Sequence, residues 1–595
     1  MNKSFELKLG MSVFLFFVLI SYCVLYKKKE GFYNEKGHTF AKNTDLKAAV
    51  AAWFTDQTNA ENNYGLIGNW DVSKITDMSQ LFKNKQNFNA DISGWDTRSV
   101  TNMEEMFYNC STFNKDISDW KTNEVNNMKK MFFNCKKFNA GKEPGESSSL
   151  NWNVSTVTDM HGMFITCEAF NADLSKWIVE KVETMKYMFY NCRSFNQNLN
   201  NWKVGSVKDM ANMFQSCLAF NGNISSWDVS KVTDMKHMFQ QCESFNQDIS
   251  EWDTSKVTAM NNMFTACKKF NVGKNAGVST ASLNNWDIKN VTYIGQMFSS
   301  CEAFNADISE WNIGKIRVLN SLFINCKNFN RDINTKEVKD KDGNKYTAWN
   351  TEGIGSMDYM FTGCEIFNQD LSNWNVEKVE YMNYMFQNCS AFNQDISSWK
   401  PKALRRAHYM FHKCRHFIIG DQRKALCNWQ KHIGKTASTQ NVLNYVPFQY
   451  YPPHTFTKYF LYRCNPNDKF TETTKLKEAV NEYCQHPARA INKYGHISFW
   501  DVSEITDMKE LFFKKSNFDN DLSMWDVSKV TNMNRMFYNC IKYKGYKNNN
   551  WDVSQVKDMT KMFYGCVSFN SNLSNWNVSM VENMEGMFHN CRNFN

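Results

Sequence analysis

Proline is scarce: 7 residues in 595, six of them between Pro401 and Pro487. Charge is thin as well. Charged residues make up 22% with a net charge of +9, without the dense basic stripe of a nucleic-acid binder. The 19 cysteines form no CxxC-type cluster, so zinc-site spacing is missing. A disulfide scaffold would be a short chain with a far higher cysteine density. No phosphate-binding loop or dinucleotide fingerprint occurs, and the 11 histidines recur in no register. What abounds is apolar: 42% hydrophobic and 15% aromatic residues, with 47 Phe, 32 Met and 19 Trp. That much apolar surface excludes a disordered chain. So skewed a composition over this length implies an internal repeat.

The tryptophans give its period. Trp152, Trp177, Trp202, Trp227 and Trp252 step by 25, and 17 of the 19 Trp are in phase, all but Trp53 and Trp429. One unit, from Trp227, reads WDVSKVTDMKHMFQQCESFNQDISE. Met235, Met238, Phe239 and Cys242 follow the i, i+3, i+4, i+7 spacing of a helical face, which predicts a short helix of about two turns. Ser230, Thr233 and Asp234 stand where they would cap it. FNQDIS predicts a short extended strand, with Asn246 and Asp248 as an alternative hydrogen-bonding ladder. The fold class is therefore an α/β repeat, a solenoid of 25-residue units. A unit with one apolar face is stable only when stacked on neighbours. Fifteen Cys stand 15 residues after a Trp and are expected free and buried; Lys85 and Lys515 replace them in the first unit of each array.

Two stretches precede the arrays, DLKAAVAAWF from Asp45 and KLKEAVNEYC from Lys475, at a constant offset of 430. Both predict helical N-terminal caps. The expected organisation is a membrane anchor and juxtamembrane segment at 1–39, a cap at 40–69, a first solenoid of 13 units at 70–417, a connector at 418–469, a second cap at 470–499 and a four-unit solenoid at 500–595. Cys427 and Cys464 stand out of phase in the connector and either pair or stay free. Residues 9–26 are apolar and near the lower limit for a bilayer span, followed by Lys27, Lys28 and Lys29 without a small-residue cleavage site. They predict a retained single-pass anchor, with a cleaved signal as the alternative. The lysine run argues for a cytoplasmic array; the sequons at Asn109, Asn290 and Asn577 argue for export.

The unit WDVSxVTDMxxMFxxCxxFNxDIS resembles the repeat of BspA-like leucine-rich-repeat surface proteins, including the mycoplasma lipoprotein type. The resemblance implies a leucine-rich-repeat-like solenoid, display on an outer surface, and adhesion or recognition. It brings no catalytic residues and no cofactor. A good lipobox is lacking, since Tyr22 precedes Cys23.

His408, His412 and His416 beside Cys414 are the nearest thing to a metal set, at i, i+4 spacing. They fall on variable positions, and no metal is expected. Repeated carboxylates such as Asp234 and Asp248 are scaffold rather than a unique catalytic pair. The departures from the period are more informative. Three long steps insert Ala140–Ser149, Val272–Ala281 and Arg331–Thr347 after a Phe-Asn pair. Equal phase predicts projection from one side of the solenoid. Lys142, Glu143, Lys274, Asn275, Lys341 and Asp342 are the candidate interaction residues. The expected function is membrane-anchored, non-enzymatic recognition or adhesion. The expected partners are a protein or glycan on a host or neighbouring cell and the membrane itself, with no nucleic acid. The alternative is an architectural spacer or coat protein.

Overall fold

The computed structural model describes residues 37–414 and 469–594, apart from 277, 279, 496, 524 and 546–550. Packing divides the chain into two compact units: Met1–Ile354 with Met360–Gln369, and Gly355–Tyr359 with Asp370–Asn595. The first holds helices α1 (Asn43–Thr55) and α2 (Gln57–Tyr64) and a hairpin of β1 (Lys336–Lys339) and β2 (Lys345–Ala348). The second holds α3 (Thr473–Gln485) and α4 (Pro487–Tyr494).

The two helix pairs match at the 430-residue offset. Leu46, Ala49 and Val50 form the buried stripe of α1, and Leu476, Ala479 and Val480 that of α3. Gly65 and Gly495 end α2 and α4 at φ of 79° and 78°, a left-handed conformation in which glycine carries no side-chain penalty. Their carbonyls accept the indole N–H of the first repeat tryptophans, Trp70 at 3.0 Å and Trp500 at 3.1 Å. The lysine of the leading unit is explained here. Lys85 faces the α1 side, with its ammonium 4.4 Å from the Phe54 ring centroid, where a cation is stabilised by the ring quadrupole.

The inner repeats bury their tryptophan, the apolar residues of the turn segment, two phenylalanines and the cysteine, while the last unit, from Trp576, is only partly buried. In the Trp227 unit Val232, Met235, Met238, Phe239, Cys242, Phe245 and Ile249 are all fully buried. Identical residues stack between units: Phe214 on Phe239 at 5.7 Å and Trp202 on Trp227 at 6.4 Å. Each buried large side chain stabilises by ~1.5–3 kcal/mol. The columns, rather than any isolated unit, carry the fold. This is a repeat solenoid.

The predicted helix in each unit is absent. His237 and Gln241 sit at φ of 57° and 62°, which an α-helix does not admit. The segment is a run of turns, with Met238 N–H donating to Met235 O and Cys242 N–H to Phe239 O. The intervening amides of Met235, His237, Phe239 and Gln241 donate to Ala259, Asn261, Met263 and Thr265 of the next unit. Half of the amides thus leave the unit, where a helix would keep them inside. Successive three-residue turns place the same apolar residues on one side as a helix would, and periodicity alone does not separate the two. Ser230 and Asp234 accordingly close Asx turns instead of capping: Asp228 Oδ1 accepts from Ser230 N–H, and Asp234 Oδ1 from Lys236 N–H.

The predicted strand is absent too. Among the described residues, pairing between units is limited to single parallel bridges such as Asp209–Asp234–Ala259. The FNQDIS amides are served by the ladder of asparagines instead. Asn246 N–H donates to Asn221 Oδ1, and Asn271 N–H to Asn246 Oδ1, both at 2.8 Å. Asp248 takes no part, because its Oδ1 accepts locally from Ser250.

Among the described residues no helix is long and apolar enough to cross a membrane. This corrects the expected transmembrane helix and the localisation by a single-pass N-terminal anchor. The run at 9–26 lies outside the described residues. The longest described helices, α1 and α3, have 13 residues each, short of the ~20 a bilayer span requires. Cys427 and Cys464 also lie outside the described residues.

Candidate recognition loops

The asparagine ladder builds the first two insertions in the same way. Asn114 Oδ1 accepts from Gly141 N–H at 3.1 Å while its Nδ2 donates to Lys142 O at 2.9 Å. Asn246 repeats both bonds with Gly273 and Lys274, at 3.1 and 2.9 Å. A second pair closes each loop: Asn139 Nδ2 donates to Glu143 O, and Asn271 Nδ2 to Asn275 O. Gly141 and Gly273 hold φ of 80° and 71°, and a Cβ on Gly141 would lie 2.8 Å from Asp116. Glycine is required at Gly141 by conformation and by space. Asn139 and Asn271 are themselves fully buried. The result is a pair of rigidly seated loops whose charged or polar residues Lys142, Glu143, Lys274 and Asn275 are all exposed.

The third insertion is not a loop but the β1–β2 hairpin, with Val338 opposite Tyr346. Asp340 Oδ1 accepts from Asp342 N–H at 3.0 Å and Asn344 N–H at 2.8 Å, and Gly343 turns at φ 83°. Tyr346 OH donates to Glu310 O, tying the hairpin to the previous repeat. Burial raises the Tyr346 phenol above its usual pKa, with the negative field of Glu310 adding to it. Lys341 and Asp342 are exposed at the tip. The field of Asp340 and Asp342 reaches Lys289, whose ammonium is held protonated mainly by its hydrogen bond with Asp287.

The six sequence-predicted residues are therefore not one cluster. Lys142 and Glu143 share no hydrogen bond or ion pair with the other two insertions among the described residues. The second and third insertions do meet, through Arg331 Nη2 donating to Val278 O at 3.3 Å. Beneath the first lies a cavity of about 520 Å³ lined by Asp116, Glu146, Ser148, Asn171, Asp173 and Gln197. Sequence reasoning missed these residues. Most belong to the repeat pattern, and only the neighbouring insertion turns them into a wall.

Other chemistry is muted. All the in-phase thiols but that of Cys591 are buried, Cys110 donates to Phe82 O, and burial pushes its pKa up to about 12. A thiolate, the reactive form, is thus suppressed. Burial lowers the His408 pKa; His416 lies outside the described residues. Among the described residues no group of three or more His, Cys, Asp or Glu is gathered for a metal. The Asn109 and Asn290 amide nitrogens are engaged within the array, with Asn84 Oδ1 and Ser255 O.

A solenoid of stacked 25-residue units with seated insertions defines a repeat protein. Residues 44–144, 146–217, 198–281, 274–345, 336–441 and 474–595 match the family described as "Mycoplasma protein of unknown function, DUF285". The chain belongs to that family. Among solved structures it is similar to a leucine rich cell surface protein from Faecalibacterium prausnitzii A2-165, at 14% identity, over 42% of this chain and 76% of that one, with a TM-score of 0.20. No curated protein matches.

Proposed function

We propose that this is a surface-exposed recognition protein that binds macromolecular partners through its repeat faces and insertions and performs no catalysis. One observation carries the reading. Two insertions far apart in sequence are seated by the same asparagine hooks, and each presents exposed side chains on a packed scaffold. Binding residues held on loops over a rigid scaffold lose little entropy on association. Membership of a repeat family supports the surface role, and an adhesion partner would be a protein or a glycan.

The test is capture from intact cells with the full chain as bait, beside a variant in which Lys142, Glu143, Lys274, Asn275, Lys341 and Asp342 are all serine. The reading expects partners retained by the native chain and lost by the variant. Equal capture by both would favour a spacer whose exposed side chains are interchangeable.

A further inference from the structure

The first two insertions align residue for residue over their opening turns, as Asn-Ala-Gly-Lys-Glu-Pro-Gly-Glu from Asn139 and Asn-Val-Gly-Lys-Asn-Ala-Gly-Val from Asn271. Their backbones agree: Glu146 N–H donates to Glu143 O, and Val278 N–H to Asn275 O. Two differences stand out. Glu146 occupies the place of Val278. Two repeats further on, Gln197 occupies the place of Arg331, each 20 residues after its tryptophan, Trp177 and Trp311.

At the second insertion the guanidinium of Arg331 reaches up to the loop backbone. Its Nε donates to Asn305 O at 2.6 Å and its Nη2 to Val278 O at 3.3 Å. At the first, the shorter Gln197 turns back to Asn171, donating to its backbone and side-chain oxygens at 2.8 and 2.9 Å. The about 520 Å³ cavity lies there. Its wall carries three carboxylates, Asp116, Glu146 and Asp173, each with one oxygen engaged in a local turn through Ser118, Glu143 and Ser175. The second oxygen of each remains to accept. Lys142 is the one cation on the wall, so the charge balance favours a positive guest.

We propose that the cavity beneath the first insertion binds the guanidinium group of an arginine side chain from a partner protein, taking from outside what Arg331 supplies from within at the second. The inference rests on the recognition reading and gives one of its insertions a ligand chemistry. A planar fork of N–H donors suits carboxylates and backbone carbonyls presented from several directions. The wall is mostly polar, which disfavours a hydrophobic residue.

The experiment is calorimetric titration of the full chain with an N-acetyl-Gly-Arg-Gly-amide peptide, with the citrulline peptide as neutral isostere and agmatine as the small-molecule source. One equivalent of the arginine peptide should bind, and the citrulline peptide about tenfold more weakly or worse. Gln197→Arg should abolish binding without lowering the melting temperature, since it copies the second insertion. Val278→Glu with Arg331→Gln should raise the stoichiometry from one to two. No binding of the arginine peptide, binding unchanged by Gln197→Arg, or binding of agmatine alone would overturn the proposal. A failure here with partner capture intact removes the ligand assignment and leaves the recognition reading standing; loss of capture with peptide binding intact does the reverse.

Discussion

The thiol of Cys242 donates to the backbone carbonyl of Phe214 in the preceding repeat at 2.9 Å. Cys217 makes the same bond to Phe189, and Cys267 to Phe239. A cysteine in this column is a small hydrophobe that also satisfies a carbonyl between stacked units. Serine would keep the donor but carry a hydroxyl that is costlier to bury, and alanine would leave the carbonyl without it.

This predicts the order of thiol reactivity. Among the described cysteines, the 14 buried thiols should resist alkylation in the native protein, while Cys484 and Cys591, partly exposed and raised only to about 11, should react before them. Quantitative labelling followed by mass spectrometry reads the order. Rapid uniform labelling would contradict the buried column.

The same thiols set an alkaline limit. Burial raises their folded pKa above the value they recover on unfolding, so above the unfolded value the unfolded state binds fewer protons and gains stability. Their contribution is intact below about pH 8.5, and it falls as pH rises toward the folded values, about 12 for Cys110 and Cys566. Melting temperature should drop steeply from pH 9 upward, and less so after alanine replaces several column cysteines.

Left-handed residues inside each unit give a test against the helical reading. Gln241→Gly would cost a helix about 1 kcal/mol. At φ 62° the same change should stabilise by up to about 1 kcal/mol, because it relieves a side chain in a left-handed turn. Denaturant unfolding of the full chain measures the sign.

Two further substitutions probe the columns and the loop seat. Met235→Asp places a charge among fully buried side chains and should destabilise by several kcal/mol, about 3 or more, with melting of several neighbouring units together. Asn271→Ala removes the acceptor for Asn305 N–H and the donor to Asn275 O. It should cost about 1–3 kcal/mol and speed amide exchange around Lys274.

The period, the stacked columns and the two matching helix pairs are legible because each is written in side chains that recur. Trp227, Met235 and Cys242 announce their burial by repetition alone. The sequence suggests a helix there because burial repeats on one side in both a helix and a run of turns. A signal was present nonetheless. Fourteen residues after the tryptophan the chain carries Asn eight times and Gly twice, including Asn109, Asn388, Gly363 and Gly565, the residue types that tolerate positive φ. The hairpin at Lys336–Ala348 was hidden because its turn, Asp340 to Asn344, lies in a polar run without alternation. The cavity was illegible for another reason. Asp116, Asp173 and Gln197 are ordinary repeat positions, and only the fold brings an insertion against them.

Hydrogen exchange on the complex between the full chain and a captured partner addresses the central claim, that recognition resides in insertions seated on a stacked scaffold. The account predicts new protection at 140–149, 272–281 and 331–347, with the methionine and cysteine columns already protected and unchanged. Protection confined to repeat positions far from all three insertions would contradict it.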